Sequence, residues 1–137
     1  NLLRLYQLTG DKRYLTQAED CLKAVKEFLE SYSPGYSYHV ISLMRYYDED
    51  APTIVISLNK TEDFLQELME VIYSKFIPHK ALIIRREDDK ELHELLPYVK
   101  EQVPVKGETT LYICLEGICE APVSGLEEMK QALEKLY

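Results

Sequence analysis

The chain has 137 residues, 46% of them hydrophobic and 29% charged, and a formal net charge of −8. That is enough for one real core with an appended element, and the composition excludes a disordered chain. No apolar run approaches the roughly 20 residues that span a bilayer, and the acidic balance repels a phosphate backbone, so neither a membrane nor a nucleic acid is an expected partner.

The chain opens on Asn-Leu-Leu-Arg-Leu, with neither an initiator methionine nor the pattern of a signal peptide. The expectation is a piece of something longer, in which Leu2, Leu3, Leu5 and Leu8 end a helix whose partners lie upstream. In isolation these leucines form a self-association patch. Thr9-Gly10-Asp11 interrupts the apolar run, and Asp11 can cap the next helix. Tyr14, Ala18, Cys21, Val25, Phe28 and Tyr32 then alternate four and three residues apart, which predicts one helix of about five turns with these side chains on its core face. Ser33-Pro34-Gly35 ends it. Tyr36, Val40, Leu43 and Tyr47 repeat the spacing and predict a second helix folding back on the first, an αα-hairpin over residues 1–51. The hairpin tyrosines read as packing residues with their hydroxyls left wet.

Residues 53–58, Thr-Ile-Val-Ile-Ser-Leu, are an unbroken β-branched and apolar run behind a proline and read as a strand buried on both faces. Asn59 and Glu62 resemble a capping box for a helix that lines Phe64, Leu65, Leu68, Val71, Ile72 and Phe76 along one face. Residues 81–84, Ala-Leu-Ile-Ile, form the second strand. A short helix carries Leu92, Leu95 and Leu96, an irregular connection contains Pro104 and Gly107, and residues 111–115 make the third strand. A last helix, with Ser124 as its cap, buries Leu126, Met129, Leu133 and Leu136. The fold class is therefore α/β: an αα-hairpin (1–51) followed by a small, three-stranded, mainly parallel sheet with flanking helices (52–137), in strand order 2-1-3.

In an open parallel sheet, ligands sit beyond the carboxyl ends of the strands. Lys60, Arg85 and Arg86 are the candidate anion-binding residues there, and Glu116-Gly117 is the corresponding turn after the third strand. The three cysteines, Cys21, Cys114 and Cys119, are an odd number in a chain that needs no staple, which points to a reducing, cytoplasmic setting. Cys114 and Cys119 are spaced too widely for a redox C-x-x-C motif and lack further ligands for a metal. Packing as small hydrophobes is one reading of them, and a reversible disulfide formed if the chain turns back at Gly117 is the other. His39, His79 and His93 lie on separate elements without ligand spacing. No catalytic residue, metal or cofactor is assigned.

The string YICLEGICEAPVSGLEEMKQAL at residues 112–133 resembles the terminal motif of the YyaL-like, thioredoxin-domain-containing family that includes spermatogenesis-associated proteins. Tyr112, Cys114, Cys119, Pro122 and Val123 occupy its positions. LTGDKRYL at residues 8–15 and PTIVISL at residues 52–58 are similar to two further pieces of that family. The resemblance implies a non-catalytic tail of a larger protein: the last hairpin of an α/α toroid of the kind seen in sugar enzymes, then a carboxy-terminal α/β segment. Its partners are the rest of the toroid and a thioredoxin-like domain. An alternative is that Cys114 and Cys119 exchange electrons with that domain.

Overall fold

The computed structural model describes residues 1–115 and 117–136. The chain divides into two compact units, Asn1–Ala51 and Pro52–Tyr137.

The first unit is helical. Helix α1 (Leu2–Thr9) stops at Gly10, whose φ of +68° lets its N–H return to the Tyr6 carbonyl. Asp11 caps α2 (Lys12–Ala24) by accepting from the Arg13 N–H. The long helix expected from the spacing is broken at Val25, where ψ is near zero, so that α3 (Lys26–Tyr32) is a separate segment. A 3-10 turn over Ser33–Tyr36 leads into α4 (Ser37–Tyr46). Within this unit the Tyr46 hydroxyl donates to Glu19 at 2.9 Å, Arg45 donates to the Gln7 side chain, and Gln7 donates to the Ala51 carbonyl at 3.2 Å. Its apolar side chains are not enclosed. Of residues 1–51 only Ala18 is fully buried, and Cys21, placed on the core face by periodicity, is exposed. Tyr32, Tyr38 and Tyr47 are exposed as well, against the packing role expected for them.

The second unit is built on β1 (Thr53–Ser57), every residue of which is buried. It pairs in parallel with β2 (Ala81–Arg85) on one side and antiparallel with β3 (Thr110–Leu115) on the other. Two short strands, β4 (Ile118–Cys119) and β5 (Val123–Ser124), pair antiparallel with the two ends of β3. The order 2-1-3 holds at the centre of this mixed sheet, while the direction of the third strand corrects the mainly parallel arrangement. The reason lies in the connection. Helix α6 (Lys90–Leu95) has six residues and rises about 9 Å, less than the ~17 Å of a five-residue strand, so it cannot carry the chain back across the sheet. The rest of the connection is spent in 3-10 turns, and β3 starts beside Ser57, at the edge where β1 ends.

Alternation along the strands gives the sheet two chemically different faces. One carries Ile54, Ile56, Leu82, Ile84, Leu111 and Ile113. It packs under α5 (Leu65–Ser74) and α7 (Leu126–Glu134), whose Leu68, Ile72, Met129 and Leu133 are fully buried. Each such side chain contributes about 1.5–3 kcal/mol on burial, so this face holds the unit's main core. Two caps differ from expectation. Asn59 accepts from the Asp63 N–H, but α5 begins only after Phe64, held at φ +66°; Phe64 and Phe76 are exposed. Ser124 is occupied in β5, and Gly125 precedes α7 instead. Among the described residues no helix is long and apolar enough to cross a membrane.

Candidate functional site: the polar face of the sheet

The opposite face takes the odd-numbered residues of β1 and their partners. The register places Thr53, Val55 and Ser57 beside Ala81, Ile83 and Arg85 on β2, and beside Cys114, Tyr112 and Thr110 on β3. The segment that failed to form a full crossover covers this face. Leu96 and Val99 are buried, and backbone groups between them and Val105 meet the polar side chains below. Ser57 Oγ donates to the Gln102 carbonyl at 2.6 Å, Arg85 Nε to the Val99 carbonyl at 3.3 Å and the Tyr112 hydroxyl to the Val103 carbonyl at 2.7 Å, while Thr110 Oγ1 accepts from the Val105 N–H at 2.9 Å. The loop's backbone groups are thus satisfied by side chains rather than by another strand. Burial pushes the Tyr112 phenol above its ordinary range, with the nearby Arg85 charge acting in the opposite sense.

Cys114 and Cys119 lie at the end of this face as directly opposed residues of the β3–β4 hairpin, with Gly117 at φ +80° in the turn. They form a disulfide, with their Cα atoms 3.8 Å apart. The expectation of two thiols packed as small hydrophobes is therefore corrected: the turn brings the sulfurs into bonding reach. Cys114 is buried and Cys119 is exposed. Over the bridge sits Gln102, itself 7% exposed, with its Nε2 3.5 Å from Cys114 Sγ and 3.3 Å from Cys119 Sγ. Sequence reasoning missed Gln102, because a lone glutamine in an irregular connection carries no pattern. Among the described residues three buried side-chain atoms have no hydrogen-bond partner: Gln102 Oε1, Arg85 Nη1 and His93 Nε2.

The strand-end cations are dispersed by the same alternation. Arg85 turns into the polar face beneath Val99, Arg86 pairs with Glu62 at 2.6 Å, and Lys60 is exposed. Because β3 runs antiparallel, its carboxyl end lies at the opposite edge from Ser57 and Arg85. Glu116, named with that end, lies outside the described residues. Leu2, Leu3 and Leu8 are half-buried and Leu5 is exposed. No group of three or more His, Cys, Asp or Glu among the described residues is placed to hold a metal ion.

Beside the strand ends, hydrogen bonds from Arg86 hold the Glu62 carboxyl below its usual range, and those from Asn59 and Thr61 do the same for Asp63. A depressed folded-state value gives stability that is fully present above the unfolded carboxylate's ordinary value. It is lost as pH falls through the lower, folded value. The urea midpoint is expected to be flat above pH ~5 and to decline below the ordinary carboxylate range of about 4. Glu62→Gln should remove part of that decline, and added salt should diminish it, because the pair is exposed.

Comparison with known sequences places these features in context. The chain is 25% identical over 134 residues to human spermatogenesis-associated protein 20, 26% identical over 136 residues to the Rattus norvegicus protein of that name, and 22% identical over 136 residues to an uncharacterized protein of Caenorhabditis elegans. These alignments cover 97–98% of this chain but only 17–18% of each relative. No family model and no solved structure matches the chain. Over nearly its full length, then, the chain is related to one segment, about a sixth, of spermatogenesis-associated protein 20.

Proposed function

We propose that this chain is a non-catalytic, structural segment at the carboxyl-terminal end of a larger protein; the cytoplasmic setting expected from unpaired cysteines loses its ground in the Cys114–Cys119 disulfide. Residues 1–51 complete a helical array supplied by the rest of that protein, and residues 52–137 add a self-sufficient α/β module. The observation that carries the reading is the contrast in burial. Residues 1–51 enclose a single side chain, Ala18, while Phe28, Tyr32, Ile41, Met44 and Tyr47 stay exposed; the second unit has a closed core of strands and two helices. Short helices without a packed face are marginal in water, so this unit needs neighbours.

The match to only about a sixth of each relative supports a larger parent that supplies them. The terminal placement, the toroid and the thioredoxin-like domain as partners rest on the resemblance of residues 8–15, 52–58 and 112–133 to the family pattern. The test is truncation. Residues 52–137 alone should unfold cooperatively at the midpoint of the 137-residue chain, and residues 1–51 alone should show little helical circular dichroism. A 52–137 fragment that cannot fold, or a 1–51 fragment that is a stable helical monomer, contradicts the proposal.

A further inference from the structure

The Cys114–Cys119 bridge is built differently from a buried structural staple, and the difference lies in what surrounds each sulfur. Cys119 is exposed on a two-residue strand, while Cys114 is buried on β3. A nucleophile arriving from solvent therefore meets Cys119 first, and cleavage leaves the electron pair on Cys114. A thiolate left buried, out of reach of water, is costly unless a donor meets it. Gln102 is that donor: its amide nitrogen, with two N–H groups, is within reach of both sulfurs. Its main chain is fixed from two sides, by its N–H to the Val99 carbonyl at 3.2 Å and by Ser57 Oγ to its own carbonyl.

The orphaned Gln102 Oε1 points the same way. A disulfide has no hydrogen to offer, so in the oxidised protein this buried oxygen has no partner. After reduction a cysteine S–H can donate to it while a thiolate accepts from Nε2. The side chain thus matches the reduced pair better than the bridge beneath it, which is the condition for assisting its opening.

We propose that Cys114–Cys119 is a thiol–disulfide exchange site for a dithiol, with Gln102 as its positioning residue. One thiolate of the dithiol attacks Cys119 Sγ. The Cys114–Cys119 bond breaks, a mixed disulfide to Cys119 forms, and Cys114 departs as a thiolate under the Gln102 amide. The second thiolate of the dithiol then attacks its own partner sulfur and releases Cys119. Two electrons pass from the dithiol to the protein, two protons from water complete the protein thiols, and the dithiol leaves as a disulfide; the reverse sequence oxidises the protein. This adds a stoichiometric exchange reaction to the structural reading, and it rests on separate observations, the bridge and the Gln102 amide above it.

The test uses the 137-residue protein carrying Cys21→Ser throughout, so that the exposed free thiol does not report, with dithiothreitol as the dithiol and thiols trapped by alkylation. Reduction should proceed under native conditions, faster than global unfolding. In Cys114→Ser the remaining Cys119 should be alkylated on the order of 100-fold faster than Cys114 is in Cys119→Ser, following their difference in exposure. Gln102→Met, of similar shape but without donors, should slow reduction about tenfold and raise the pH at which the first thiolate absorbs by about one unit. A purely structural role for Gln102 would lower the urea midpoint without moving that pH. Reduction only on unfolding, faster labelling of Cys114, or an unchanged rate and thiolate profile in Gln102→Met would each overturn the proposal. The two cysteine variants decide the matter if the Gln102 variant fails to fold.

Discussion

Ile56→Ala should destabilise the α/β unit by about 3 kcal/mol, read as a fall in the urea midpoint of residues 52–137 with an unchanged slope. Ile56 is fully buried on the central strand, in one cluster with Leu68 and Ile72 of α5 and Met129 and Leu133 of α7. Removing three carbons there forfeits their transfer energy and leaves a void. A central strand hydrogen-bonded on both sides cannot shift to fill it. A loss below about 1 kcal/mol would mean that the helices do not close over this face as described.

The second large effect depends on context. In the 137-residue chain Phe28→Ala should change stability by no more than about 0.5 kcal/mol, because the ring is 53% exposed and its main partner is the stacked ring of Tyr36 at 5.5 Å. The proposed function predicts that in a longer parent protein the same substitution costs about 3 kcal/mol, the ordinary loss for a phenylalanine removed from a packed interior. The two denaturation series, run side by side, separate a helix face waiting for neighbours from one that is simply wet. Equal and small effects in both would remove the proposed role of the first unit.

Much of this architecture is legible in the sequence because the signal is local. Thr53-Ile54-Val55-Ile56-Ser57 could only be a doubly buried strand, and Leu68, Ile72, Met129 and Leu133 declare themselves by helical spacing. Periodicity fails in the first unit for an instructive reason. It marks the apolar side of a helix, but Cys21, Phe28 and Tyr32 show that an apolar side is buried only when something covers it. The direction of β3 was hidden because it depends on where a connection of turns and one short helix emerges, which no local pattern encodes. Gln102 was hidden too: its role comes from the tertiary path of the loop over Cys114 and Cys119. The cysteine pair is visible in the sequence, and the turn at Gly117 brings its two sulfurs together as a disulfide.

Native-state hydrogen exchange on dilute, monomeric 137-residue protein, repeated on the proposed longer parent chain, separates a unit that folds by itself from helices that need neighbours. Amides of β1, β2, β3, α5 and α7 should be protected to the global stability of the unit in both proteins. Those of α1 to α4 should exchange near intrinsic rates in the short chain and become protected in the parent. Strong protection of α1 to α4 in the isolated monomer, or none in the parent, would contradict the account.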